Sequence, residues 1–393
     1  MRILIASLTF PPFKDGISEA SSSMAKGFLQ QGWEVDILTQ PANESRTNFQ
    51  WNNTYVYEWR MSQASGIMVR TPEESIDLRL FLLNGGWDVI VFHAYDTILY
   101  TALPLLHEIA SHKILVSHGY PALQWAPVMK FPFGLGRVSR GFLSSLSMPF
   151  WLRRLDRVVY LSEKKDWNAF YDHLLASISG YKGVRVIPNG VCPNPGSTDP
   201  ADFRKRHGIP SEAIVLLCVA NYSRRKDQGF AARAFRAAAL PDAILIFIGS
   251  EFNSYSNQFM AQDQPFINKP GHGRVIWLEK QSRDETLNAF SACDIFVLSA
   301  DHEAQPIALL EAMRVGKPWI ARNAGCINLM EGGITVNRVP QMACAMRLMH
   351  DNQSLRDDLG KKGLHAASNR YTLEAYQQRY CDLIKEVVKK SEN

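Results

Sequence analysis

RILIASLTFPPFKDGISEASSSMAKGFLQQGWEVDILT, residues 2–39, decides the architecture. RILIASL (2–8) is a short apolar run, TFPPFKDGIS is a Pro/Gly loop, SEASSSMAKGFLQQ has helical spacing with Gly32 as its stop, and WEVDILT (33–39) is a second apolar run. Strand, helix and strand in that order make a βαβ unit. The rhythm then repeats. DVIVFH (88–93) precedes a helix expected over 98–110, and KILVSH (113–118) and RVVYLS (157–162) follow. Such alternation implies a mostly parallel sheet covered on both faces.

VIPNGVCPNPGSTDP (186–200), rich in Pro, Gly, Asn and Ser, interrupts the pattern and reads as an interdomain linker. The alternation restarts with AIVLLCVA (213–220), a helix near 228–238, AILIFIG (243–249), RVIWLE (274–279), a helix near 284–291, DIFVLSA (294–300) and KPWIAR (317–322). The expected fold is therefore α/β, two doubly wound Rossmann-like domains over 1–190 and 191–371. TLEAYQQRYCDLIKEVVKK (372–390) is an amphipathic helix with no strand after it. The residues alone leave open which sheet hosts it.

Bulk properties narrow the function. A chain of 393 residues is too long for one ordinary core. With 46% hydrophobic and 21% charged residues it is neither disordered nor fibrous. The balance of 43 basic to 38 acidic residues leaves +5, too mild to argue for nucleic acid. Six scattered cysteines form no CxxC pair and no metal-ligand spacing. The opening apolar run is far shorter than a membrane span and reads as a first strand, so the expected compartment is the cytoplasm.

Ligands of open α/β folds bind beyond the carboxyl ends of the strands. Chemistry is therefore sought in the loops at 9–17, 93–97, 118–122, 221–227 and 300–305, expected to face a shared crevice. SADHEAQPIALLEAMRVGKP (299–318) is the most informative. Pro306, without an amide hydrogen, suits a helix start, and Gly316 suits its end. Glu303 then sits in the loop and Glu311 on the helix. The amides of Ile307 and Ala308 and the positive end of the helix dipole make a seat for phosphate. Two carboxylates flanking that seat fit a sugar joined to a nucleoside diphosphate, one carboxylate for each sugar.

ANYSRRKDQ (220–228) follows a buried strand and holds Asn221, Arg224, Arg225 and Lys226 in one loop, cations of the kind a diphosphate binds. In the first half, two apolar strands each end in a histidine, His93 and His118. Gly119 lets backbone approach a ligand, and Gly16 stands before the first helix, where its amide could face a phosphate. GxGxxG is absent, so this is no dinucleotide fingerprint.

Taken together, the Gly16 loop, DVIVFH, SHG, VIPNGV, Lys226 with its helix, and above all EAQPIALLEAM with its E-x7-E spacing followed by GKPWIARNAG resemble the retaining glycosyltransferases of family four. The resemblance spans almost the whole chain. It implies the GT-B fold of two facing Rossmann-like domains, with the terminal helix crossing back to the first. Glu303 would contact the donor hexose and Glu311 the ribose. Lys226 would bind the diphosphate and stabilise the leaving group, His118 would lie against the donor sugar, and Gly16 would help seat phosphate or acceptor. The family's Gly-Arg is replaced by Ala220 and Asn221, which leaves Arg224 or Arg225 as the second cation. Its Gly-Phe-Gly is replaced by Ala304, Gln305 and Pro306.

The implied reaction moves a hexose from a nucleoside-diphosphate sugar, UDP first and GDP second, to a hydroxyl of a saccharide, lipid-linked or small-molecule acceptor. Such reactions build glycans, glycolipids or envelope polysaccharides. Retention and independence of metal and cofactor come with the resemblance. The segment 121–157, with Trp125, Phe131, Phe133, Phe150 and Trp151 among Lys130, Arg137, Arg140, Arg153, Arg154 and Arg157, fits either peripheral contact with an anionic bilayer or an ordinary core with a basic edge. A sugar-nucleotide epimerase of the same fold and a non-catalytic nucleotide-sugar-binding protein are the alternatives.

Overall fold

The computed structural model describes residues 1–41, 49–59, 62–64, 67–69, 72–95, 97–120, 146–167, 169–192, 199–266 and 269–389. Its contacts divide the chain into two units, Met1–Asn189 with Leu373–Asn393, and Gly190–Thr372.

The first unit carries β1 (Arg2–Ser7), α1 (Gly16–Gln30), β2 (Glu34–Thr39), β3 (Phe49–Trp51), β4 (Thr54–Glu58), β5 (Ser62–Ala64), β6 (Ile67–Val69), α2 (Pro72–Asn84), β7 (Val89–His93), α3 (Thr97–Ala102), β8 (His112–Ser117), α4 (146–152), β9 (Arg157–Tyr160), α5 (Tyr171–Ile178) and β10 (Val184–Val186). Its eight-stranded sheet runs β10-β9-β8-β7-β1-β2-β4-β3 and is parallel except at the β3–β4 edge. There Asn52 and Asn53, both at positive φ, make the two-residue turn that twists a hairpin correctly. That pair was the sequence signal for a hairpin the βαβ rhythm overlooked.

Alternation within the strands builds two cores. Ile3, Ile5, Val35, Ile37, Val89 and Val91 face one side, Leu4, Ala6, Leu38, Ile90 and Phe92 the other. Each such side chain stabilises the fold by about 1.5–3 kcal/mol when fully removed from water. The helix expected over 98–110 is shorter: α3 ends at Ala102, and a 3-10 turn over Leu103–Leu105 follows. Pro104, which has no amide to donate, sits inside that turn.

The second unit carries α6 (Pro200–Arg206), β11 (Ile214–Val219), α7 (Gln228–Ala238), β12 (Ala243–Gly249), α8 (Ser254–Asp263), β13 (Arg274–Glu279), α9 (Arg283–Ala292), β14 (Ile295–Leu298), α10 (Ile307–Arg314), β15 (Trp319–Arg322), β16 (Gly333–Val336), α11 (Val339–Asp351) and α12 (Gln353–Arg370). Its sheet runs β13-β12-β11-β14-β15-β16, all parallel. The order reverses between β11 and β14, and crevices for ligands open at such switch points. The loops leaving these two strands hold Lys226 and Glu303.

The last helix, α13 (Leu373–Lys389), belongs to the first unit. Tyr376, Tyr380, Leu383, Ile384 and Val387 join the core on the α1 side of the sheet. The Tyr376 hydroxyl donates to the Ala20 carbonyl at 3.0 Å, and the Gln377 amide donates to the Ser23 carbonyl at 2.8 Å. Gly27 permits this approach, since a Cβ there would stand 2.8 Å from Gln377 Cβ.

Candidate functional site

In the second unit, α10 begins where its sequence says it should. Pro306 is its N-cap at φ −75° and ψ 122°, and Leu309 and Leu310 donate back to the Pro306 carbonyl. The amides of Ile307 and Ala308 precede those donors, so they are the ones a helix leaves to an outside acceptor. The far end closes on Gly316 at φ +70°, with Gly316 N–H to Met313 O at 3.0 Å and Lys317 N–H to Ala312 O at 2.9 Å, a Schellman closure.

Glu303 lies three residues before Pro306, and its carboxylate pairs with the Lys226 ammonium. The side chains are 21% exposed at Lys226 and 11% at Glu303, so the pair is sheltered yet reachable. Further bonds hold the two loops together. The Ser299 hydroxyl donates to the Lys226 carbonyl at 2.9 Å, and the Asp301 amide donates to the Arg225 carbonyl at 3.2 Å. Arg322, at the end of β15, donates to the Asp227 carboxylate at 3.0 Å and to the Ser299 carbonyl at 3.3 Å. Asp227 in turn caps α7 by accepting from the Phe230 amide. Cys218 lies beneath, its thiol pushed up to about 12 by burial and so a packing group at neutral pH.

Behind Glu303 the chain folds back closely. Gly325, at φ +53°, lies against the loop so that a Cβ would come within 2.0 Å of the Glu303 carbonyl oxygen, and Cys326 N–H donates to the Ala304 carbonyl at 3.0 Å. Gln305 and Pro306 are buried under the loop. Glu311, on α10, pairs with the guanidinium of Arg283 at the start of α9. Asn221, Arg224 and Arg225 stand exposed on the basic loop, and the Asn221 carbonyl accepts from the Gln228 amide at 3.0 Å. Trp277 stacks on Phe247 at 4.4 Å, packed against the core of the second unit.

In the first unit the two histidines meet. His118 Nε2 lies 3.1 Å from His93 Nδ1, with the rings tilted at 4.6 Å between centroids. Burial, reinforced by His118, holds His93 well below the usual imidazole range, and burial lowers His118 to about 4. Both rings are neutral at physiological pH. The Ser117 hydroxyl donates to the buried Asp172 carboxylate at 2.5 Å and accepts from the Gly119 amide at 3.2 Å. Gly119 sits at φ +91°, in a left-handed conformation that favours glycine. Gly16 differs from expectation. It is the first residue of α1, and the Asp15 carboxylate takes the amides of Ile17 and Ser18 at 2.9 Å each, putting a negative charge where a phosphate was anticipated.

Of the residues picked from sequence, the structure joins Lys226 with Glu303 and His93 with His118. Arg283, Arg322, Ser299, Ser117 and Asp172 were missed, because each acts through a partner distant in sequence. Most of the proposed membrane segment, 121–145, lies outside the described residues. Beyond it, Phe150 is 74% exposed while Trp151 is buried and Arg157 pairs with Glu386 at 2.6 Å. No helix among the described residues is long and apolar enough to cross a membrane.

The two units, each a mainly parallel sheet flanked by helices, have the GT-B fold. Residues 199–363 match the family described as Glycosyl transferases group 1. That match falls within the second unit, where the E-x7-E residues Glu303 and Glu311 lie. A lipopolysaccharide core biosynthesis glycosyltransferase, LpsE, of Rhizobium meliloti is 26% identical over 207 residues, covering 51% of this chain and 57% of that protein. In fold, the chain is similar to the sucrose-phosphate synthase of Thermosynechococcus elongatus, with a TM-score of 0.79 at 17% identity and 99% of both chains covered. It is also similar to Anabaena Alr3699/HepE, solved in complex with UDP-glucose, with a TM-score of 0.72 at 15% identity, covering 98% of this chain and 100% of that one.

Proposed function

We propose that the protein transfers a hexose from a nucleoside-diphosphate sugar to a hydroxyl acceptor, with retention, in building a glycan, glycolipid or envelope polysaccharide. The observation that carries this reading is the Lys226–Glu303 pair at the switch point, beside the start of α10. Without donor, the ammonium neutralises the carboxylate. A bound diphosphate would take Lys226 and the amides of Ile307 and Ala308, which frees Glu303 to accept from hydroxyls of the hexose. Glu311 would accept from the ribose hydroxyls, with Arg283 orienting it. Arg224 and Arg225 would add positive charge in place of a metal ion, and Gln305 would line the seat.

The sugar–phosphate C–O bond breaks, a bond forms from the acceptor oxygen to the same carbon, and the hydroxyl proton passes to the departing phosphate on the same face. His118 would donate to a sugar hydroxyl, and Gly16, given the Asp15 carboxylate beside it, serves the acceptor rather than a phosphate. UDP is the first choice of nucleotide, supported by the UDP-glucose bound to a protein of similar fold, and GDP is second. The curated relative of 26% identity supports a saccharide or lipid-linked acceptor. The exposed Phe150 beside Arg153 and Arg154 supports peripheral membrane contact.

The test is release of nucleoside diphosphate from a panel of UDP- and GDP-sugars, with and without saccharide and lipid-linked acceptors, in the presence of EDTA. Acceptor-dependent release that survives the chelator is expected, and Lys226→Ala should cut kcat on the order of a hundredfold or more. Isomerised sugar made without acceptor would instead identify an epimerase. Binding without turnover across the panel would identify a non-catalytic protein.

A further inference from the structure

His93 is wholly buried, and its Nε2 has no hydrogen-bond partner among the described residues. Its Nδ1 faces His118 Nε2 at 3.1 Å. The next residue, Ala94, sits at φ +104°, a conformation an L-residue holds only when its surroundings impose it. The end of β7 is therefore fixed, and the ring it presents is fixed with it.

Two neutral imidazoles can share one hydrogen bond in two ways. If His118 Nε2–H donated to His93 Nδ1, then His93 would carry its own proton on Nε2, and that N–H would be buried with no acceptor among the described residues. If His93 Nδ1–H donates, the unpaired atom is a lone pair. Native structures rarely leave a buried N–H orphaned and tolerate a bare acceptor more readily. The second arrangement wins. It leaves His118 with Nε2 occupied as acceptor and its only proton on Nδ1, on a partly exposed ring.

We propose that His93 is a positioning residue that locks His118 as the neutral Nδ1–H tautomer, making it a fixed hydrogen-bond donor to a hydroxyl oxygen of the sugar substrate. The part concerning substrate rests on the role given to His118 above; the tautomer does not. A donor held in place favours an oxygen acceptor over an ammonium or amide N–H. It also excludes His118 as a general base through Nδ1, since that nitrogen has no lone pair to offer.

Nitrogen NMR of the ligand-free, ring-labelled protein tests the tautomer directly, with no substrate present. Wild type should show His118 protonated at Nδ1 and unprotonated at Nε2. In His93→Phe, His118 should shift toward the Nε2–H form, and kcat should fall on the order of tenfold with KM for the donor little changed. His93→Asn, whose amide can still donate to Nε2, should restore most of the Nδ1–H form and of kcat. Wild-type His118 protonated at Nε2 would overturn the proposal even if no variant folds, as would a His93→Phe protein with the wild-type tautomer. If the tautomer is as stated but His118→Ala transfers sugar normally, the substrate role fails and the lock stands.

Discussion

Lys226 and Glu303 neutralise one another from loops that leave neighbouring strands, β11 and β14. Glu311 has a different neighbourhood: its Arg283 partner is 55% exposed, so removing the carboxylate strands no buried charge. Glu311→Ala should therefore shift the melting temperature little while raising the donor KM on the order of tenfold at nearly unchanged kcat, read from initial rates. Asp172 behaves oppositely. Burial raises its carboxyl to about 6, above the unfolded value, so the folded state holds the proton more tightly. Its contribution to stability is then greatest below the unfolded pKa and is lost as pH rises through about 6, roughly 3 kcal/mol for the carboxyl alone. Asp172→Asn keeps an acceptor for Ser117 and cannot ionise. Thermal unfolding between pH 4.5 and 8 should show the variant gaining on wild type as pH rises; a constant difference would contradict the buried-acid reading.

At the scale of elements, the loop before α10 is held from behind by the turn after β15. Gly325 faces the Glu303 and Ala304 carbonyl oxygens across a gap too small for a side chain and also occupies the left-handed region. Gly325→Ala should cost about 3 kcal/mol from strain and overpacking together, and should weaken donor binding by moving Glu303. Parallel scans of melting temperature and donor titration read both effects. Pro306 and Gly316 were legible as the bounds of α10 because caps are local chemistry. Gly325 as a spacer was not, since what it touches lies on another loop. The long helices α11 and α12 were also overlooked. In α12 glycines at 360 and 363 pack into the fold, where small residues hide the apolar periodicity a helix normally shows.

At the scale of the whole molecule, the last helix, α13, covers one face of the sheet that β1 begins. Tyr380 of α13 is 1% exposed and packs edge-on against Tyr376 at 4.8 Å. Tyr380→Ala should cost about 3–5 kcal/mol in chemical unfolding of the first unit. The Tyr380 hydroxyl is buried without a hydrogen bond among the described residues, so Tyr380→Phe should be neutral or stabilising. A large loss in the Phe variant would mean the hydroxyl has a partner after all.

The sequence by itself determined the strand–helix alternation, the all-but-continuous apolar strands, and the Glu–Pro–Glu–Gly spacing that seats a helix start between two carboxylates, because periodicity and capping are written in neighbouring residues. Only the tertiary structure decided that Lys226 faces Glu303, that Arg283 holds Glu311, that Asp15 occupies the first helix start, and that His93 meets His118. Those pairings depend on which strands lie side by side and which charges share a buried space, and no local pattern in the chain carries that information.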